Sequence, residues 1–204
     1  KPFIYWGFGL LVVAAFGAKT FDRNKDWKDD ETLFAADIEH LPNNAKAHHN
    51  LANIYRDKAE AATNQAQKVT YYESAARLIE QALGIYEVQE FQRDLGQIYG
   101  ELGKWEGVKK ALGRYTKLNP NDATSWMRLG IAYGITKEMD NARTCFERAY
   151  ALNPNDEAIC LNLAKTYAIQ GDAKKALEQA NKCLQVAPTN QEIIGLIEQL
   201  NQSL

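Results

Sequence analysis

The chain has 204 residues, of which 46% are hydrophobic and 25% are charged, and its formal net charge is -2 at pH 7. This length suits one or two ordinary globular domains, and the near-neutral charge argues against the basic face with which nucleic-acid-binding proteins meet phosphates. The three cysteines show no C-x2-C or Cys/His spacing, so we predict no metal site. We interpret them as small buried hydrophobic residues, with a disulfide as the alternative.

The N-terminal stretch is apolar. Residues 3–18, FIYWGFGLLVVAAFGA, form an unbroken run of 16 residues, whereas a helix that spans a bilayer needs about 20. We interpret residues 1–21 as a single transmembrane helix, short or cut at its start, because Tyr5 and Trp6 suit the interfacial aromatic belt. The alternatives are a signal-peptide core with a cleavage site at residues 15–17, and a buried helix of a soluble domain.

Residues 22–44 are predicted to form a junction helix, the second half of an incomplete repeat. Apolar residues recur at helical spacing from about Asp29, and Pro42 ends the pattern. Acidic residues at the start of this segment are favoured by the helix dipole. By the positive-inside rule, the basic residues between the apolar run and this helix would place the following chain in the cytoplasm. The rule compares the basic residues on both sides of a span, and only the following side can be counted here.

Residues 45–88 are predicted to form the first complete helix pair. The apolar positions of its second helix come about ten residues later than in the regular repeats that follow. The additional residues are rich in Ala, Gln, Lys and Glu, which are good helix formers. We therefore predict two elongated helices joined by a protruding turn.

Three regular repeats follow, at residues 89–122, 123–156 and 157–190. The middle one shows the spacings W-x2-L-G-x2-Y, A-x3-F-x2-A and a final Pro, which are typical of the 34-residue tetratricopeptide repeat. Gly130 and Ala142 are small where two helices must approach closely. The positions that recur at 34 residues are Leu95, Leu129 and Leu163; Gly96, Gly130 and Ala164; Tyr99, Tyr133 and Tyr167; and Pro120, Pro154 and Pro188.

The chain ends in a predicted capping helix at residues 191–204, which is apolar on one face and rich in Gln, Glu and Asn on the other. An open array of repeats needs such a polar outer face at its end. The predicted fold class is therefore all-α: a right-handed α-solenoid of tetratricopeptide helix-turn-helix repeats preceded by a transmembrane helix.

A protein-binding groove is predicted along the first helices of the repeats, which line the concave face of such a solenoid. The half of the groove formed by the first two repeats is polar, and the half formed by the third and fourth repeats is largely apolar. Such a mixed groove suits an extended peptide or an amphipathic helix. The alternative is that the apolar positions are core, since sequence does not resolve the rotation of each helix. The predicted groove residues are His49, Asn53, Arg56, Arg93, Gln97, Met127, Ile131, Ile135, Leu161, Lys165 and Ile169.

One familiar use of such a groove is not predicted. Chaperone-binding tetratricopeptide proteins grip a C-terminal carboxylate with lysines, asparagines and an arginine on the first helices. The matching places in this chain hold His49, Asn53, Asp94, Thr124 and Arg128. Because both lysines are absent and Asp94 would repel a carboxylate, we do not expect a carboxylate clamp.

Catalytic chemistry finds no support in the sequence. Of the three histidines, His48 and His49 are adjacent and point to different sides of a helix, so they do not converge on a metal. No nucleophile stands at a recognisable spacing from a base. We predict that this chain is not an enzyme and that it uses no cofactor, metal or nucleic acid.

The junction between the apolar run and the repeats has a characteristic order of residues. It reads Arg23-Asn24, Trp27, Leu33-Phe34, Asp37, Pro42-Asn43 and Ala45-Lys46-Ala47-His48. This order resembles the transmembrane-and-tetratricopeptide O-mannosyltransferases and their bacterial relatives, in which a repeat array follows the last membrane helix. The resemblance implies an extracytoplasmic array, periplasmic or luminal, and catalytic acidic residues in an upstream membrane domain that no position here matches.

These observations together predict a membrane-anchored module for protein-protein interaction. Its partner is a protein or peptide held in the concave groove, and residues 3–18 contact the membrane. Its role is scaffolding or substrate recruitment for a membrane complex or a polytopic glycosyltransferase. The alternatives are a stand-alone single-span scaffold subunit and an exported soluble adaptor.

Overall fold

The computed structural model describes the backbone of residues 2–203 and the side chains of residues 9, 11–21, 24 and 27–202. Over this part of the chain the fold is all-α, as predicted, with eleven α-helices, one short 3-10 helix and no strand. The helices divide into two compact units, Lys1–Glu87 and Val88–Leu204. The helices are α1 (Pro2–Arg23), α2 (Asp30–His40), α3 (Ala45–Ala61), α4 (Gln65–Ile85), α5 (Gln89–Glu101), α6 (Trp105–Leu118), α7 (Ala123–Ile135), α8 (Met139–Leu152), α9 (Glu157–Ile169), α10 (Ala173–Val186) and α11 (Gln191–Ser203).

The first unit is built around the long hairpin of α3 and α4, on which α2 packs. Helix α2 begins at a capping box, in which the Asp29 carboxylate accepts from the Thr32 backbone N–H at 2.8 Å. The core of the hairpin is made by small and apolar side chains, among them Leu51, Ala52 and Ile79. The additional residues of this repeat therefore lengthen two packed helices.

The prediction that residues 3–18 span a membrane is wrong. No helix in the described part of the chain is long and apolar enough to cross a bilayer. The 16-residue apolar run reaches only about 24 Å at 1.5 Å per residue, whereas the hydrocarbon core of a bilayer is about 30 Å thick. The predicted localisation, a single-span membrane protein with its repeats on the extracytoplasmic side, is therefore wrong as well. The side chains of Tyr5 and Trp6, expected at the interface, lie outside the described residues.

The second unit consists of three helix pairs, α5 with α6, α7 with α8 and α9 with α10, followed by α11. The first helices of the pairs start at Gln89, Ala123 and Glu157, which are 34 residues apart. Two of these starts are capped by aspartate: Asp122 accepts from the Ser125 N–H, and Asp156 accepts from the Ile159 N–H. The 34-residue sequence period thus starts the first helix of each pair at the same repeat position.

Within each pair the closest approach of the helices is set by matched side-chain sizes. A Cβ added to Gly130 would lie 2.8 Å from the Phe146 ring, and one added to Gly96 would lie 2.5 Å from Leu112. In the third pair the equivalent positions hold Ala164 and Ala180, both fully buried in one cluster. In the first two pairs a glycine on the first helix faces a large side chain on the second, and in the third pair an alanine faces an alanine. Each helix-helix interface is thus filled by side chains of complementary size.

The turn after each first helix uses a left-handed backbone. Gly103 and Gly171 have φ angles of 67° and 81°, and the equivalent residue of the middle pair is Lys137, at 64°. Glycine adopts this conformation without steric cost, whereas lysine does not. The middle turn therefore keeps its geometry although its residue type disfavours it.

Two of the three cysteines are joined, which corrects the prediction that all are plain hydrophobic residues. Cys160 on α9 and Cys183 on α10 form a disulfide with their Cα atoms 5.5 Å apart, a separation typical of disulfides. They lie opposite each other across one hairpin and are fully buried. Cys145 is free and buried, and desolvation raises the pKa of its thiol to about 12.

Candidate functional site

A stripe of side chains runs along the first helices of the second unit. On each of α5, α7 and α9 it takes positions i, i+4 and i+8, which lie on one face of a helix. The equivalent positions of successive helices are 34 residues apart, and neighbouring first helices contact each other. We call this set the first-helix stripe; its residues are Arg93, Gln97 and Glu101, then Met127, Ile131 and Ile135, then Leu161, Lys165 and Ile169.

The N-terminal row of the stripe is partly core. Leu161 is only 7% exposed and belongs to the buried cluster that contains Ala164 and Ile193. Met127 is half-buried and packs against the cluster formed by Phe146 and Leu163. Leu161 therefore holds α9, α10 and α11 together, and we leave it out of the binding surface.

The cationic residues of the stripe already have partners. The guanidinium of Arg93 donates to the carboxylate of Asp94 at 3.0 Å, and Asp94 is buried. The ammonium group of Lys165 pairs with Glu192 of α11 at 2.5 Å. These two charges stabilise the unit internally and contribute little free charge to a ligand.

The C-terminal row carries the exposed apolar side chains. Ile135 is 49% exposed and Ile169 is 69% exposed, although isoleucine is among the residue types most often buried. Ile131 is half-buried one turn before Ile135. Gln97, its equivalent on α5, is half-buried too. The accessible apolar part of the stripe is thus its edge at the ends of α7 and α9.

The other predicted groove residues lie on α3 in the first unit. His49, Asn53 and Arg56 are half-buried there. Arg56 pairs with Asp57 at 3.5 Å and with Glu60 at 3.9 Å. These three residues therefore belong to a different compact unit from the first-helix stripe.

A cavity of about 180 Å³ opens beside the stripe, between α5, α6 and α7. Arg128, which follows Met127 in the chain, forms part of its wall, and its Nε atom is buried without a hydrogen-bond partner. Sequence reasoning missed Arg128 as a candidate, since only the comparison with carboxylate-binding repeats pointed to this position. The residues that line the cavity are Gly96, Gly100, Glu101, Trp105, Val108, Arg128 and Ile131.

Comparison with known families agrees with the repeat pattern and the helix pairs. Residues 105–199 match the family model described as the cytochrome c-type biogenesis protein H TPR domain. The periodic sequence, the paired helices and this match define a tetratricopeptide repeat domain, as predicted.

Curated relatives of this chain include protein O-mannosyltransferases, the family whose resemblance was stated from the sequence, and the similarity is to their repeat part. The chain is 32% identical over 69 residues to human protein O-mannosyl-transferase TMTC1, a match that covers 34% of this chain and 7% of that protein. It is 36% identical over 76 residues to tmtc2 of Xenopus laevis, covering 36% of this chain and 9% of the relative. The chain thus spans less than a tenth of the length of each of these relatives.

Solved structures share the fold at low sequence identity. A crystal structure of MamA has a TM-score of 0.65 and 19% identity, covering 75% of this chain and 84% of MamA. YrrB, described as a TPR protein with an unusual peptide-binding site, has a TM-score of 0.59 and 21% identity, covering 84% and 98%. The first TPR of Spaghetti (RPAP3), bound to an HSP90 peptide, has a TM-score of 0.54 and 16% identity, covering 56% and 91%.

Proposed function

We propose that the second unit binds a segment of a partner protein along the first-helix stripe. The observation that carries this proposal is the pair of exposed isoleucines, Ile135 and Ile169, at equivalent positions of successive repeats. Removing such side chains from water is favourable by about 25 cal/mol per Å² of apolar surface, and the entropic cost of association offsets part of this gain. A peptide laid across α7 and α9 covers both.

Similar folds bind peptides, which supports the proposal by analogy. YrrB is described as having a peptide-binding site, and the RPAP3 repeat domain was solved with an HSP90 peptide. We propose that residues 89–122, 123–156 and 157–190 are the repeats that present the stripe, with residues 191–204 as their cap. The chain itself then binds rather than catalyses.

The role of this binding is proposed from the O-mannosyltransferase relatives. A repeat domain attached to a transferase holds an acceptor protein near the enzyme and raises its local concentration. We propose that this chain recruits a substrate protein, or scaffolds a complex, for a larger glycosyltransferase. The proposal predicts that a partner segment binds the repeats without any sugar donor being present.

Binding of peptides at the stripe is tested by replacing its exposed isoleucines with charged residues. We expect the Ile135→Glu/Ile169→Glu double variant of the full chain to bind peptides at least about tenfold more weakly, a loss of about 1.4 kcal/mol. The probes are linear peptides selected from a synthetic random library by the unaltered chain, and affinity is measured by isothermal titration calorimetry. Since both side chains are exposed, the melting temperature should not change.

The matched control is Leu118→Glu, which makes the same exchange at a leucine that is 63% exposed at the end of α6, outside the stripe. This variant should bind the peptides as the unaltered chain does. Equal affinities for all three proteins, or an equal loss in the control, would show that the stripe is not the binding surface.

A further inference from the structure

The second helices of the three pairs, α6, α8 and α10, differ in charge from the first helices. Together they carry nine Lys and Arg residues and four Asp and Glu residues, a net charge of +5. The first helices, α5, α7 and α9, carry three basic and four acidic residues, a net charge of -1. The excess is largest on α6, which has four basic residues and one acidic residue. An acidic partner is therefore attracted to the side of the unit that α6 presents.

A slot opens between α6 and α8, which both pack on α7. Its volume of about 170 Å³ is close to the roughly 150 Å³ of an apolar cavity that binds benzene. Lys117, Asn141 and Thr144 at its rim are exposed, whereas Leu129 and Cys145 at its floor are only 3% and 4% exposed. This space, which we call the α6–α8 slot, therefore admits one aromatic ring from outside.

The interior of the α6–α8 slot favours an apolar group. Trp126 and Tyr133 are half-buried and supply its aromatic walls. The hydroxyl group of Thr116 donates to the backbone carbonyl of Leu112 at 2.8 Å, so its hydrogen is already bonded. Burial raises the pKa of the Cys145 thiol to about 12, so the thiol stays neutral. An aromatic ring packs favourably against other rings in such a space.

The slot is open because residue 113 is a glycine. Among the described residues no atom lies within 4 Å of the place where the Cβ of Gly113 would be. The equivalent residue 34 positions later is Glu147, whose carboxylate accepts from the hydroxyl of Tyr167 at 2.9 Å. Tyr167 is itself the equivalent of Tyr133. In the next pair a glutamate side chain thus reaches the tyrosine, whereas here the space beside the tyrosine is left open.

Two exposed lysines of α6 lie beside the slot. Lys110 comes three residues before Gly113 and Lys117 four residues after it, so the three residues share one side of the helix. Lys117 also lines the slot. An apolar pocket with charged residues at its edge has the anatomy of a protein interface, with an apolar centre and a polar rim.

We propose that the α6–α8 slot and these lysines bind a second partner, an acidic segment of a protein that is anchored by one aromatic side chain. The aromatic ring enters the slot between Trp126 and Tyr133. Acidic residues on either side of the anchor face Lys110 and Lys117. The site shares no residue with the first-helix stripe, so it does not depend on the proposed function.

The anchor is tested with a glutamate-rich peptide that holds a single central phenylalanine, compared with the same peptide holding serine there. The unaltered full chain should bind the phenylalanine peptide at least about tenfold more tightly. Fluorescence anisotropy of labelled peptide at low salt measures the affinity, because salt screens the lysines. In isotope-labelled protein the indole N–H signal of Trp126 should shift, whereas that of Trp105, which lines the cavity between α5, α6 and α7, should not.

The slot itself is tested by filling it from within. Gly113→Leu should lower the affinity for the phenylalanine peptide to that for the serine peptide, without lowering the melting temperature. Gly134→Leu is the matched control, because Gly134 has equally open surroundings among the described residues and does not line the slot. Should Gly113→Leu fold poorly, Gly113→Ala adds one methyl group in the same space and should still reduce the preference for phenylalanine.

The charge is tested by reversing the two lysines. Lys110→Glu/Lys117→Glu should lower the affinity for both peptides at least about tenfold. Lys46→Glu/Lys104→Glu is the control, since it changes the net charge equally at two exposed lysines that do not line the slot. A single-stranded oligonucleotide is the third probe, and its binding should be weaker and indifferent to Gly113→Leu.

The inference is overturned if the phenylalanine peptide binds no more tightly than the serine peptide, or if the Gly113 variants bind like Gly134→Leu. An equal loss in the two lysine variants would also overturn it. Oligonucleotide binding as tight as that of the phenylalanine peptide would assign the lysines to nucleic acid instead. The Ile135→Glu/Ile169→Glu variant should bind these probes like the unaltered chain, and a loss there would move the peptide to the first-helix stripe and end this proposal.

Discussion

Gly130→Leu should destabilise the second unit by about 1 to 3 kcal/mol, the usual cost of overpacking a core. The physical reason is the contact across the α7–α8 pair, where even a Cβ at residue 130 would lie 2.8 Å from the ring of Phe146. The aromatic ring is buried, so it can move only by displacing its own neighbours. Urea denaturation followed by circular dichroism measures the change.

The control for this effect is Gly134→Leu, one turn further along the same helix, where no atom lies within 4 Å of the added Cβ. There the better helix propensity of leucine should leave stability unchanged or slightly raised. Equal stabilities of the two variants would show that α7 and α8 are not held at the distance that Gly130 sets.

Leu161→Glu should have the largest effect on stability of any single change in the stripe. Truncating a buried leucine typically costs about 2 to 5 kcal/mol, and a carboxylate placed there must also be desolvated or protonated. Leu161 belongs to the cluster that joins α9, α10 and α11, so the C-terminal end of the unit should unfold first. Amide hydrogen exchange in α9 to α11 should therefore rise sharply.

Ile169→Glu is the matched exchange on the same helix, two turns later, at a side chain that is 69% exposed. Surface substitutions of this kind usually change stability by less than about 0.5 kcal/mol. A native-like hydrogen-exchange pattern for Leu161→Glu would contradict the assignment of this leucine to the core and return it to the binding surface.

The contrast between Leu161 and Ile169 shows where sequence reasoning ends. Both are apolar, both lie on the predicted face of the same helix, and a 34-residue period gives them equivalent partners in other repeats. The periodicity predicts that the helices exist and which positions correspond, because those features are local. The depth of each side chain depends on how α11 covers α9, which no local pattern encodes.

Arg128 and the cysteines show the same limit for polar chemistry. An arginine beside a predicted groove is common, and what distinguishes Arg128 is that its buried Nε atom has no hydrogen-bond partner among the described residues. Cys160 and Cys183 are 23 residues apart in the chain, and only the geometry of the hairpin brings them together. The burial of both cysteines could be predicted from the residue type, whereas their disulfide could be identified only from the folded structure.

The N-terminal helix shows a different failure. Residues 3–18 have the composition of a membrane segment, and the interpretation depended on treating a short run as the remainder of a longer one. The run alone is shorter than the apolar core of a bilayer. Composition therefore identified an apolar helix, but no helix in the described part of the chain is long and apolar enough to cross a bilayer.

The most direct test of the central claim is methyl NMR of the isoleucine-labelled chain titrated with a peptide selected by it. If the first-helix stripe is the binding surface, the methyl signals of Ile131, Ile135 and Ile169 should shift in proportion to occupancy. The fully buried Ile98 and Ile159 should change little. Shifts at Ile85 in the first unit, with the three stripe signals unmoved, would contradict the account.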